Sequence, residues 1–145
     1  MKFLEENLIA LDVEATTPEE SIQAAGELLA RQDAVEDCYI EAMLHSYRKN
    51  GPYFVLAPKI ALPHARPEDG VNEASVSFVR LKKPINFGSE MNDPVKFVFA
   101  LGASSSDEHV QLLQKLTILL NDESNLSRLE TASNYQQIKA IVEGN

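Results

Sequence analysis

Apolar residues recur every three or four positions in two stretches of the N-terminal third, which is the spacing of one face of an α-helix. In TTPEESIQAAGELLARQ the apolar face consists of Ile22, Ala25, Leu28 and Leu29. Thr17 and Glu20 form a capping box at its start, with Pro18 at the first helical position. In EDCYIEAMLHSYRKNG the apolar face consists of Tyr39, Ile40, Met43, Leu44 and Tyr47. Gly51 is suited to end this second predicted helix.

The middle of the chain changes to strand-like patterns. PYFVLA and KIAL are short apolar runs rich in aromatic and branched residues. EASVSFVRL alternates, with Ala74, Val76 and Phe78 on one face, and DPVKFVFALG is apolar almost throughout. Alternation is typical of a strand that packs one face on the core, and a continuous apolar run is typical of a central strand. This segment therefore predicts a β-sheet.

The C-terminal third returns to helical spacing. SSSDEHVQLLQKLTILLND is a strong helix that opens with a capping box of Ser105 and Glu108. ESNLSRLETA and SNYQQIKAIVEG predict two short closing helices, the last capped by Ser133 with Gln136. The order of helices, strands and helices favours a single-domain α/β fold in which helices flank a mixed sheet.

Composition and charge narrow the class of protein. Hydrophobic residues make up 44% of the 145 residues, so we expect one globular domain over residues 1–145. The net charge is −9 and the thirteen Lys and Arg are scattered, which argues against a nucleic-acid partner. Apolar runs stay below the roughly 18–20 residues of a membrane span, and MKFLEENLIALD lacks the basic start of a signal peptide. We expect a cytoplasmic protein without direct membrane insertion.

Three histidines are the first candidates for chemistry. His45 lies within a predicted helix, away from most of its apolar face, and is interpreted as an exposed residue. His64 follows a strand-like run and stands between Pro63 and Pro67, which fix the backbone around it. His109 lies in the first turn of a helix, where free N–H groups and the helix dipole favour an anion. For the last two, a purely structural role stays open from the pattern alone.

Other kinds of site have little support in the sequence. Zinc needs three or four ligands, whereas the histidines are isolated and Cys38 is the single cysteine. Cys38 is interpreted as lying in a helix body without an adjacent base, so a nucleophilic thiol is not expected. The chain has no GxSxG, Walker A or GxGxxG motif. These patterns therefore give little support to a metal site and none to a nucleotide site.

The stretch GPYFVLAPKIALPHARPEDGV closely resembles the IIA proteins of the bacterial sugar phosphotransferase system, in the mannitol–fructose superfamily. It looks most like the ascorbate branch of that superfamily. LKKPINF, NDPV and HVQLLQKL follow in the order of the family, so the resemblance covers nearly the whole chain. It implies a mannitol-type IIA fold, a mixed sheet flanked by helices, and no metal, nucleotide or small-molecule cofactor.

The resemblance also implies roles for two histidines. His64 matches the position that receives a phosphoryl group from the phosphocarrier protein HPr and passes it to a cysteine of the cognate IIB component. IIB then phosphorylates a sugar, here ascorbate or a related sugar acid, during uptake through the membrane IIC component. His109 matches the second active-site histidine of the family, which supports the first.

Four further side chains are candidates for stabilising a phosphoryl group. Mannitol-type members carry an active-site arginine ahead of the PH segment, and Arg48 stands at about that distance from His64. Arg66, in PHAR, is an alternative cation, because guanidinium suits phosphate. Ser105 and Ser106 add hydroxyl donors near His109.

Two other classes of function stay open. A regulatory IIA-like protein, phosphorylated on the same His64 and signalling to a transcriptional regulator, has the same sequence features. A catalytically silent interaction domain is disfavoured because both His64 and His109 are present.

Overall fold

The computed structural model describes residues 1–144, which form one sheet covered by helices on both faces. The strands are β1 (Lys2–Phe3), β2 (Ile9–Val13), β3 (Ile60–Ala61), β4 (Ser75–Ile85) and β5 (Val95–Gly102). The helices are α1 (Pro18–Arg31), α2 (Asp37–Asn50), α3 (Ser106–Leu120), α4 (Glu123–Thr131) and α5 (Tyr135–Glu143). Short 3₁₀ turns cover Glu6–Leu8 and Pro67–Asp69. No helix in residues 1–144 is long and apolar enough to span a bilayer.

The sheet is mixed, as the sequence pattern predicts. β4 and β5 are antiparallel at its centre, with Phe78 opposite Phe99. β1 and β2 both pair in parallel with β4, one after the other along the same edge. β3 pairs in parallel with β5 on the other side, and the pairing continues past β3 as a single bridge between His64 and Leu101. The sheet thus carries His64 to the C-terminal end of β5.

Two apolar layers enclose the central strands. On one face α1 and α2 pack against alternate residues of β4 and β5, such as Val79 and Val98. On the other face α3, α4 and α5 pack against the intervening residues, including Val76 and Phe78. β4 is buried on both faces as far as Leu81. Its buried polar residue Ser77 donates a hydrogen bond of 2.8 Å to the Ala25 carbonyl of α1.

The predicted helices are confirmed, with one correction at the last cap. Thr17 Oγ accepts from the Glu20 amide, and Gly51 ends α2 with a φ of 76°. The N-cap of α5 is Asn134, whose side chain accepts from the Gln137 amide at 3.0 Å, and not Ser133 with Gln136. The true cap is one residue further on, because an amide oxygen caps a helix as well as a hydroxyl does.

The strand predictions need two corrections. PYFVLA is a turn and coil segment, in which the Val55 amide bonds to the Pro52 carbonyl at 3.1 Å and Phe54 is buried. Its apolar residues reach the core without forming a strand. β1 and β2 were not predicted, since MKFLEENLIALDV has neither sustained alternation nor a continuous apolar run.

Candidate functional site

The His64 segment is fixed to the sheet by its backbone. The Leu101 amide of β5 donates to the Pro63 carbonyl at 3.1 Å, and the Leu62 amide donates to the Phe54 carbonyl at 3.0 Å. Pro63 has a fixed φ, so the backbone that leads into His64 has fewer accessible conformations. The imidazole is half-buried and projects from a backbone that is bonded on both sides.

A buried tyrosine of α2 holds the residue after His64. The Tyr39 hydroxyl donates to the Leu101 carbonyl at 2.6 Å and accepts from the Ala65 amide at 2.9 Å. Burial raises the pKa of Tyr39 well above its ordinary value, so the hydroxyl keeps its proton and both bonds at any physiological pH. Tyr39 therefore ties the end of β5 to the turn that presents His64.

The ring of His64 has a defined tautomer. Its Nδ1 lies 2.8 Å from the Leu62 carbonyl oxygen. A carbonyl can only accept a hydrogen bond, so Nδ1 carries the proton, and Nε2 of the neutral ring keeps its lone pair. The free nitrogen is the one that can act as a nucleophile.

His109 lies beside His64, in the first turn of α3. The two ring centroids are 5.2 Å apart and the rings are tilted by 49°. Burial, and to a smaller extent repulsion from His64 in its protonated form, lowers the pKa of His109 below its ordinary value of 6.5. His109 is therefore a neutral imidazole near pH 7.

The serines before His109 mainly cap α3. Ser105 is the N-cap, and its Oγ accepts from the Glu108 amide at 3.2 Å. The amide and hydroxyl of Ser104 both donate to the Glu108 carboxylate, and these bonds lower the pKa of Glu108. Ser106 is the first residue of α3 and its side chain is exposed.

The two candidate arginines occupy different places. Arg48 extends toward α1, where its Nε lies 3.9 Å from Glu19. Arg66 forms two hydrogen bonds of 3.2 Å with the Asp69 carboxylate, and these hydrogen bonds are the main reason that the pKa of Asp69 is lowered. Arg66 shares a groove with His64, whereas Arg48 does not line that groove.

The groove runs between α2 and the His64–Asp69 turn and has a volume of about 500 Å³. Its lining includes His45, Ser46, Lys49, Tyr53, His64 and Arg66. The Tyr53 ring meets the His64 ring edge to face, with 5.9 Å between the ring centroids, so His64 has both Tyr53 and His109 as ring neighbours. Within residues 1–144 no three His, Cys, Asp or Glu side chains are grouped so that they could hold a metal ion.

Two site residues were not singled out by the sequence patterns. Tyr39 lies on the apolar face of α2 and reads as a core residue, which it also is. Tyr53 stands in the segment interpreted as a strand. Cys38 lies in the first turn of α2 and not in a helix body, and it is exposed, with its Sγ 3.4 Å from the Asp69 carbonyl.

Comparison with known proteins places these features in a family. The family model described as "Phosphoenolpyruvate-dependent sugar phosphotransferase system, EIIA 2" matches residues 2–145. The chain is 37% identical over 140 residues to an "Ascorbate-specific PTS system EIIA component" of Salmonella choleraesuis (strain SC-B67), covering 96% of this chain and 91% of that protein.

Solved structures agree with the family match. The mannitol-specific cryptic phosphotransferase enzyme IIA CmtB from Escherichia coli is similar, with a TM-score of 0.87 and 33% identity over 98% of this chain and 96% of that one. The enzyme IIA of mannitol from Escherichia coli, solved in complex with its phosphorylated enzyme IIB, has a TM-score of 0.85 and 32% identity, with 99% of each chain covered. The resemblance seen in the sequence is thus confirmed across the whole described fold. This chain belongs to the EIIA 2 family of the phosphoenolpyruvate-dependent sugar phosphotransferase system, and its fold is that of the mannitol-type IIA proteins.

Proposed function

We propose that this chain is a phosphocarrier in which Nε2 of His64 accepts a phosphoryl group from phosphorylated HPr and passes it to a cysteine of a cognate IIB component. The observation that carries the proposal is the 2.8 Å bond between Nδ1 of His64 and the Leu62 carbonyl. This bond holds the proton on Nδ1 and leaves Nε2 with the lone pair that attacks phosphorus.

Both transfers are displacements at phosphorus. As the Nε2–P bond forms, the bond between phosphorus and its donor atom on HPr breaks, and the electron pair stays with the donor. In the second step the IIB thiolate attacks and the pair of the Nε2–P bond returns to His64. Such transfers depend on alignment and charge stabilisation, and the bonds of Tyr39 and Leu101 supply the alignment.

His109 is proposed to assist by donating a hydrogen bond to the phosphoryl oxygens. Its ring lies beside that of His64, at the positive end of the α3 dipole. The arriving negative charge raises the pKa of His109 and strengthens this bond. Ser105, Ser106 and Arg66 are further proposed donors, while Arg48 is paired with Glu19 of α1 and does not line the groove.

The relatives support a role in the uptake of a sugar acid. An ascorbate-specific EIIA component is 37% identical to this chain over 96% of its length. We propose that residues 1–145 act as one IIA unit in the uptake of ascorbate or a related sugar acid. The sugar itself meets IIB and the membrane IIC component, so this chain is not expected to bind free ascorbate in a calorimetric titration.

The test is reconstitution with enzyme I, HPr, phosphoenolpyruvate and IIB. Unsubstituted chain is expected to take one phosphoryl group, and His64→Ala none, because the acceptor nitrogen is gone. His109→Ala is expected to accept the group but to pass it to IIB about a hundredfold more slowly.

His45→Ala is the matched control, since it removes the third histidine, which is exposed on α2, and is expected to take one phosphoryl group. Full phosphorylation of His64→Ala would overturn the assignment of the acceptor. Phosphorylation of His64 without transfer to IIB would replace the transport role with the regulatory one.

A further inference from the structure

The cationic side chains near the groove beside His64 differ in whether they already pair with a carboxylate. Arg48 faces Glu19 on α1, outside the groove. Arg66 lines the groove, but its guanidinium is forked onto Asp69 and also lies 3.9 Å from Glu68. Lys49 lines the groove, and within residues 1–144 no carboxylate lies within 4.0 Å of its Nζ.

A chain of short contacts brings the Lys49 side of α2 close to His64. The Tyr53 hydroxyl lies 2.9 Å from Ser46 Oγ and donates to the His64 carbonyl at 3.5 Å. Lys49 is three residues after Ser46, so the two side chains leave α2 on the same side, roughly 5–6 Å apart at Cβ. A lysine ammonium on its flexible four-carbon stem can cover that separation and enter the groove.

Phosphorylation would change the charge of this groove sharply. A phosphoryl group carries about −1.5 to −2 charges near pH 7, and the whole chain already carries −9. Arg66 keeps Nη1 hydrogens that could reach the group, but the Asp69 carboxylate bound at its Nε and Nη2 already offsets much of its charge and stays near the new negative charge. The ammonium of Lys49 has no carboxylate partner among the described residues, so it brings its full charge to the group.

We propose that Lys49 is the side chain that neutralises the phosphoryl group on His64. The α2 side of this groove is therefore a phosphate-stabilising surface. This inference rests on the proposed function, since it needs His64 as the acceptor. Lys49 stabilises the phosphorylated state more than the free state, so its effect appears in the equilibrium with HPr as well as in the rate.

The experiment measures how the phosphoryl group distributes between HPr and this chain at low ionic strength. Lys49→Gln keeps the length of the side chain and removes its charge, and is expected to lower the equilibrium constant for phosphorylation of His64 about three- to tenfold. Lys49→Arg is expected to restore it to within about twofold. The loss in Lys49→Gln should shrink in 0.5 M salt, because the pair is open to solvent.

Lys139→Gln is the matched control, as it removes one exposed lysine from α5 on the far side of the sheet. An unchanged equilibrium in Lys49→Gln with His64 phosphorylated would overturn this inference alone, and so would an equal loss in Lys139→Gln, which would reflect net charge. Absence of phosphate on His64 in the unsubstituted chain would overturn the proposed function and this inference together.

Discussion

Replacing Tyr39 by phenylalanine is the most informative single change outside the two histidines. It removes one hydroxyl and keeps the ring, which is completely buried. That hydroxyl bonds the Leu101 carbonyl at 2.6 Å and the Ala65 amide at 2.9 Å. Tyr39→Phe therefore removes this partner from a buried carbonyl of β5 and from a partly buried amide of the His64 turn.

The expected magnitude follows from those two bonds. A hydrogen bond contributes about 0.5–1.5 kcal/mol net, so losing both should lower the free energy of unfolding by about 1–3 kcal/mol. The turn also becomes freer to move. Since a misplaced reacting atom is costly, we expect phosphorylation of His64 to slow by about tenfold.

Urea unfolding, hydrogen exchange at the Ala65 amide and the rate of phosphoryl transfer from HPr measure these effects. Tyr47→Phe is the matched control on the same helix, because its hydroxyl donates a single bond of 2.8 Å to the Phe87 carbonyl. It should cost about 0.5–1.5 kcal/mol and leave the transfer rate unchanged. If Tyr39→Phe matched Tyr47→Phe in both stability and transfer rate, Tyr39 would be an ordinary core residue.

Three other outcomes are expected. Burial lowers the pKa of His109 in the folded chain below 6.5, so the unfolded chain binds more protons at this residue as the pH falls. The free energy of unfolding should therefore decrease as the pH falls below about 6.5 and stay constant above it, as far as His109 is concerned. An NMR titration should also show that the pKa of His109 rises once His64 is phosphorylated. Buried Arg80 donates to three carbonyls at the end of α4, so Arg80→Met should lower the free energy of unfolding by about 2–4 kcal/mol, measured in urea, and leave phosphorylation intact. Leu56 is 60% exposed on an apolar groove that also includes Leu62, so Leu56→Asp should slow exchange with HPr or IIB about tenfold without a change in melting temperature.

Much of the fold could be predicted from local patterns in the sequence. α1 and α3 begin where Thr17 and Ser105 predict, because a side-chain cap and an apolar period coincide there. β5 is central because its residues are apolar on both faces. β1 has two residues and β2 has five, and both strands are held by pairing with β4. No local pattern in the sequence could therefore predict them.

Some features of the site could likewise be predicted from the sequence, and others could not. The place of His64 in a stiff turn and the position of His109 at a helix start could be predicted, and the resemblance linked them. The bond to the Leu62 carbonyl could not, since it depends on how the turn closes onto β5. Arg48 and Lys49 are neighbours in sequence, yet only the structure shows that Lys49 lines the groove and Arg48 does not.

The most direct test of the central claim is to locate the phosphoryl group by NMR on the chain phosphorylated through enzyme I and HPr, using histidine side-chain ¹H–¹⁵N correlations. The structure predicts a phosphoryl group on Nε2 of His64, with Nδ1 still protonated and bonded to the Leu62 carbonyl. A phosphoryl group on Nδ1 of His64, or on His109 or His45, would contradict the account.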